Sequence, residues 1–120
     1  MIKIQSLSQK KQFREILGEK KINNEYFTIY YGKNNNKFSN NNKNLNISFP
    51  VKKKIGNAVK RNKIRRKLRS AVSKILKNEQ TIDLNYTYII FGKTDIYKEK
   101  FAVILNKIND TFKKIKSVNG

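Results

Sequence analysis

Cysteine and histidine are absent from this chain. Without them there is no thiolate nucleophile, no Cys/His zinc site, no Ser-His-Asp triad and no imidazole base. Lack of cysteine fits a reducing compartment. Acidic residues are scarce too, 8 against 28 Lys and Arg in 120 residues. They are scattered, so no carboxylate cluster points to a metal held by the protein itself. No apolar run approaches the roughly 20 residues of a membrane span, and Met1 to Ser8 carries no apolar signal core. These absences lead to the expectation of a soluble cytoplasmic protein without metal ligands or catalytic side chains of its own.

What is present is positive charge, a formal net +20. A balance of that size implies an anionic partner and strongly salt-dependent binding. The length suits one domain with a modest core. Charge is densest from Lys52 to Arg69, KKKIGNAVKRNKIRRKLR, with ten basic residues and no acidic one. Asn57 is placed to cap a helix, because its side-chain oxygen can accept from a free N–H of the first turn. Gly56 before it permits a sharp entry. Beyond Ala58, the residues Ile64, Leu68, Ala71, Val72, Ile75 and Leu76 recur at helical spacing and form an apolar stripe. Asn62, Arg65, Arg66 and Arg69 share another face, with Lys63, Lys67 and Lys74 on the far flank. Repulsion between like charges at this spacing costs a few tenths of a kcal/mol per pair. A planar guanidinium grips phosphate oxygens two at a time and can stack on a base. A solvated helix face normally mixes both signs, and this one does not.

Residues 53–69 resemble the signature of the bacterial ribonuclease P protein subunit, the RNR motif. Its elements stand here as Lys53, Lys54, Gly56, Ala58, Val59, Arg61, Asn62, Lys63, Arg65, Arg66 and Arg69. Lys63 replaces the usual Arg, and Arg65 the usual Lys. The first is a loss of a bidentate fork with the charge kept.

The rest of the chain reads as α+β. Met1 to Leu7 is expected to be an extended arm. Ser8 would cap a helix over Gln9 to Leu17, ended by Gly18. Tyr26 to Tyr31 alternates as a strand, with Phe27, Ile29 and Tyr31 on one face and Tyr26, Thr28 and Tyr30 on the other. Residues 33–44 are Asn-rich and are expected to form a flexible loop. Leu45, Ile47 and Phe49 mark a second strand, limited by Pro50. Val51 to Lys54 would continue as a third. Leu84 to Phe91 is apolar on both faces, the mark of a central strand. A last helix from about Lys98 to Ile115 would cover the sheet with Phe101, Leu105, Ile108, Phe112 and Ile115, and residues 117–120 would fray.

The expected architecture is thus one RNA-binding domain over residues 1–120, a small sandwich of order α-β-β-β-α-β-α. Its helices would pack on a mostly antiparallel four-stranded sheet. The resemblance adds a left-handed β-α-β crossover, where general topology would give a right-handed one.

The resemblance also implies a function. The chain would be an accessory subunit of ribonuclease P, an endonuclease that removes the 5′ leader of precursor tRNA. Catalysis would lie with the RNA subunit, which would bind the required Mg²⁺. Lys53, Lys54, Arg61, Asn62, Lys63, Arg65, Arg66 and Arg69 would contact that RNA. Phe13, Leu17 and Tyr30 would line a cleft for the leader, although Leu17 is aliphatic where the family often has Phe. The residues alone support an RNA- or DNA-binding module, and the chief alternative is a small basic ribosomal protein or a general RNA chaperone. A DNA-binding helix-turn-helix would need a companion helix where β-like sequence stands. A protein nuclease would need converging acids and bases that are missing.

Overall fold

A computed structural model describes residues 2–7, 9–34, 44–78 and 80–119. The elements are β1 (Lys3–Gln5), α1 (Lys10–Leu17), β2 (Lys20–Asn23), β3 (Phe27–Lys33), β4 (Asn44–Ser48), α2 (Ala58–Leu76), β5 (Tyr86–Gly92) and α3 (Phe101–Asn119). The architecture is α+β as expected, but the sheet has five strands, in the order β1-β4-β5-β3-β2. It is mixed. β1 runs parallel to β4 and β4 parallel to β5, whereas β3 is antiparallel to both β5 and β2.

Three differences from the expected order account for the strand count. The N-terminal arm is β1, paired through Lys3–Asn44, Ile4–Leu45 and Gln5–Asn46. Ile2 and Ile4 pack on the core, and the Leu7 N–H donates to Ser48 Oγ at 3.0 Å. β2 is an edge strand with Ile22 as its one apolar residue, and its lysines Lys20 and Lys21 are exposed. Charge on an edge discourages pairing with other chains. Its turn into β3 is built by Asn24, whose Oδ1 accepts from the N–H groups of Tyr26 and Phe27 at 2.9 and 3.0 Å. Finally, Val51 to Lys54 is not a strand. Lys53–Ile55 is a 3-10 turn, and Pro50 contributes only its carbonyl, which accepts from Gly92 N–H at 3.1 Å.

β5 is central, as its two apolar faces require. Thr87 through Ile90 are all buried. Tyr88 and Ile90 join Phe27, Ile29, Leu45 and Ile47 in the main core beneath α2 and α3. Burial pushes the Tyr88 hydroxyl pKa up, and that hydroxyl donates to the Asp83 carbonyl at 2.6 Å. Alternation sends Ile89 and Phe91 to the opposite face, where α1 packs on β3 and β5. The layers are therefore α1, sheet, then α2 with α3.

Helix ends follow the sequence unevenly. Asn57 caps α2, accepting from Lys60 N–H at 2.9 Å, and all six residues of the expected apolar stripe are buried. α1 begins after Gln9, which is extended and makes no side-chain cap bond; the expected cap, Ser8, lies outside the described residues. Gly18 closes that helix, donating to the Glu15 carbonyl at 3.2 Å. α3 starts at Phe101 and is helical through Asn119, and Gly120 lies outside the described residues. Ile104 is buried with Ile108, Phe112 and Ile115, whereas Phe101 and Leu105 are half-buried at the margin.

The Asn-rich expectation covers residues 33–44, of which 35–43 lie outside the described residues. Lys33 ends β3 and Asn44 opens β4. Asn34 donates from its backbone to Asn85 O and from Nδ2 to Leu84 O, both at 2.9 Å, and accepts from Thr87 Oγ1 at 2.5 Å.

At the end of β5 the strand passes directly under α2. A Cβ at Gly92 would stand 2.6 Å from Ile64 Cγ2 and 3.0 Å from Leu68 Cδ1. Gly92→Ala should therefore lower stability by about 1–3 kcal/mol, the cost of overpacking, measured by urea or thermal unfolding. A variant as stable as the parent would show that α2 can lift without penalty.

Candidate nucleic-acid interface

The basic stretch begins as a hook. Lys52 is extended, and the following turn is closed by Ile55 N–H to Lys52 O at 3.0 Å and Gly56 N–H to Lys53 O at 3.3 Å. Gly56 is itself extended, with φ 163°, so the change of direction comes from the turn before it. Lys52, Lys53 and Lys54 are exposed.

α2 then shows two basic flanks of different character. On the arginine flank, Arg61 Nε donates to the Gly56 carbonyl at 3.1 Å, which ties the helix to the hook. Arg65 Nη1 donates to Asn62 Oδ1 at 2.6 Å, so Asn62 positions a guanidinium. Arg65 is half-buried, and Arg66 and Arg69 are exposed. Among the described residues, no guanidinium of α2 pairs with a carboxylate; the Lys107–Glu25 ion pair, at 3.6 Å, lies elsewhere. These arginines keep their outer N–H groups available for an external anion.

The lysine flank is turned inward on the protein. Lys60 and Lys63 both stand over the Tyr97 ring, with Nζ 5.4 and 4.8 Å from its centroid. Lys74 Nζ lies 6.0 Å from the Phe101 centroid. Lys67 Nζ donates to the carbonyls of Ile96, Tyr97 and Glu99 at 2.9, 3.0 and 2.7 Å. Burial, then the charge of Lys63, lowers its pKa, against an opposing pull from Glu99. Lys63 is thus placed apart from Arg65 and Arg69, with which the resemblance groups it.

A cleft opens on the other face of the sheet. Its volume is about 450 Å³, and it is lined by Leu17 of α1, Thr28 and Tyr30 of β3, Phe91 of β5, and Lys52 and Lys54 of the hook. The register pairs Thr28 with Phe91 and Tyr30 with Ile89, so the rings of Tyr30 and Phe91 are diagonal neighbours. Their centroids are 5.7 Å apart, edge to face. Phe13 meets Phe91 in the same manner at 6.3 Å and reaches the cleft through it. Lys52 Nζ lies 5.9 Å from the Phe91 centroid and Lys21 Nζ 6.0 Å from that of Tyr30.

Of the three expected cleft residues, Leu17 and Tyr30 line the cavity, together with Lys54, whereas Phe13 stands behind it against Phe91. Phe91 and Lys52 are lining residues that the sequence alone does not single out. Alternation along β5 sets Phe91 on the face away from α2, but only the pairing with β3 brings it beside Tyr30. The cleft and the arginine flank are continuous through the hook, which lines one and is bonded to the other at Gly56.

Comparison with known proteins bears on this arrangement. The sequence model of the family described as Ribonuclease P matches residues 1–116. The ribonuclease P protein component of Carboxydothermus hydrogenoformans is 31% identical over 109 residues, covering 90% of this chain and 88% of the relative. That of Mycoplasma mycoides subsp. mycoides SC is 34% identical over 106 residues, covering 88% and 90%. In fold, the RNase P protein from Thermotoga maritima superposes with a TM-score of 0.72 at 23% identity, covering 92% of this chain and 96% of that one. The Staphylococcus aureus RNase P protein gives 0.67 at 21% identity, covering 92% and 94%.

Lys67 separates anchoring from recognition. Lys67→Met removes the donor to three partly buried carbonyls and should cost about 1–3 kcal/mol of stability, read by thermal unfolding. The salt dependence of nucleic-acid binding should keep its slope, because no phosphate contact is lost. A flatter slope would place the ammonium on the ligand.

Proposed function

The chain belongs to the ribonuclease P protein family, and from that premise we propose that it is the protein subunit of a ribonucleoprotein that removes the 5′ leader from precursor tRNA. The observation that carries this reading is the continuity of an arginine flank, with no carboxylate partner among the described residues, with an aromatic, lysine-edged cleft on one packed body. Strands stand on both sides of α2 in the chain, which speaks against a helix-turn-helix. Among the described residues, no three side chains converge to hold a metal ion, and no helix is long and apolar enough to cross a membrane.

In this reading Arg61, Asn62, Arg65, Arg66 and Arg69, with Lys53 and Lys63, bind the catalytic RNA subunit. Each phosphate they neutralise releases counterions and adds roughly 0.7–0.9 to the salt slope. Leu17, Tyr30 and Lys54, with Phe13 behind them, hold the leader as a single strand by stacking and charge. Chemistry belongs to the RNA subunit, where bound Mg²⁺ supplies an activated water and stabilises the leaving oxygen. The protein's side chains bind, orient and neutralise. Because both surfaces share one scaffold, leader and catalytic RNA are held at a set separation. Charge neutralisation lowers the repulsion between two RNAs, so less Mg²⁺ is needed for activity.

The deciding experiment is reconstitution. Added to a bacterial ribonuclease P RNA at low Mg²⁺, the full chain should restore removal of the leader. A ribosomal protein or general chaperone would not do so selectively, and failure with correctly folded components would end this reading. Replacing both Arg65 and Arg69 by Ala should weaken binding to the RNA subunit and reduce the salt slope by roughly 1–2. Tyr30→Ala should weaken binding of leader-bearing substrate by about 1–3 kcal/mol while sparing mature tRNA. Equal loss for both substrates would remove Tyr30 from the leader site.

A further inference from the structure

The geometry points to Phe91, with Lys52, as a base-stacking station in the cleft beside Tyr30. This rests on the reading that the cleft holds the single-stranded leader, and it assigns the stacking surface to β5 instead of α1.

Phe91 is unusual for its strand. Thr87 through Ile90 are buried, yet Phe91 is only half-buried and opens onto the cavity. An aromatic ring left partly wet at the centre of a sheet is apolar surface awaiting a cover. α1 does not supply one. It offers aliphatic Leu17 to the cavity, while Phe13 touches Phe91 from the side at 78° between ring planes. Tyr30 braces it at 76°. Two edge contacts of this kind hold a ring's orientation. A flat ligand then meets a surface already set.

Charge completes the station. The ammonium of Lys52 lies over the Phe91 ring at 5.9 Å, as that of Lys21 does over Tyr30 at 6.0 Å. A cation near 6 Å is at the outer limit of cation–π attraction, so it is displaced readily. A base stacked at about 3.5–4 Å takes the ring face, and the flexible lysine moves to the neighbouring phosphate. Each ring thus has its own ammonium, the pattern expected for successive nucleotides bound by face and backbone rather than by base edge. Such a station accepts any base.

The test uses another absence in the sequence. The chain has no tryptophan, so Phe91→Trp installs a single reporter. In holoenzyme assembled on a bacterial ribonuclease P RNA, the fluorescence of this variant should be quenched by leader-bearing precursor tRNA and unchanged by mature tRNA. Phe91→Leu should weaken binding of the leader-bearing substrate roughly 5- to 150-fold and leave mature tRNA binding intact, which also reports correct folding. If Tyr30→Ala weakens leader binding but Phe91→Leu does not, and the Phe91→Trp variant gives no fluorescence response, the station is overturned and the cleft remains. If neither Tyr30→Ala nor Phe91→Leu changes leader binding, both the station and the cleft reading fall. Should Phe91→Leu fail to fold, the fluorescence of Phe91→Trp alone decides, with silence overturning the station.

Discussion

The close passage of α2 over the end of β5 is the contact on which the other features depend. Gly92 leaves room for Ile64 and Leu68, and no larger residue fits without displacing those side chains. One position earlier, Phe91 faces the opposite way, into the cleft. Two consecutive residues of one strand therefore join the arginine flank to the aromatic floor. The hook reinforces this junction, since the Pro50 carbonyl receives Gly92 N–H and the Gly56 carbonyl receives Arg61 Nε. Separation between the two surfaces is a matter of strand geometry, and closely packed interiors deform little.

Holding so much like charge on a small body requires that some of it be absorbed locally. The lysine flank does this mainly with carbonyls and rings. Lys67 is surrounded by three carbonyl oxygens, and Lys60, Lys63 and Lys74 rest over aromatic faces. Carbonyl dipoles and ring quadrupoles attract a cation without cancelling its charge. Arg66 and Arg69, on the flank whose forks suit phosphate better, lie over no ring among the described residues. Division of labour along one helix thus follows from the difference between an ammonium and a guanidinium.

What can be read from the sequence is what short-range pattern determines. The cap at Asn57, the stripe from Ile64 to Leu76 and the two-faced burial of β5 each depend on neighbours within a few residues, and all appear in the structure. β1 and β2 are hidden because a three- or four-residue strand with a single apolar position carries almost no periodicity. Each exists through a partner: Ile4 beside Leu45 and Ile22 beside Ile29. Lys52 to Lys54 has strand-like placement after β4, yet the turn bonds win after Pro50 removes a donor. At the interface, the arginine flank is legible from helical spacing. Lys67 is not distinguishable there from an RNA-facing lysine, because its three acceptors lie 29 to 32 residues further on.

The strand order has a bearing on how the molecule comes into being on the ribosome. β5, which sits between β4 and β3, is the last strand to be synthesised. β1 and β4 can meet early, as can the hairpin of β2 and β3, but the two halves of the sheet have no strand to join them until residues 86–92 emerge. At roughly 5–20 residues per second, the basic helix spends on the order of seconds in the open before its sheet exists. Nascent chains would thus present their cations to surrounding RNA ahead of any finished tertiary structure.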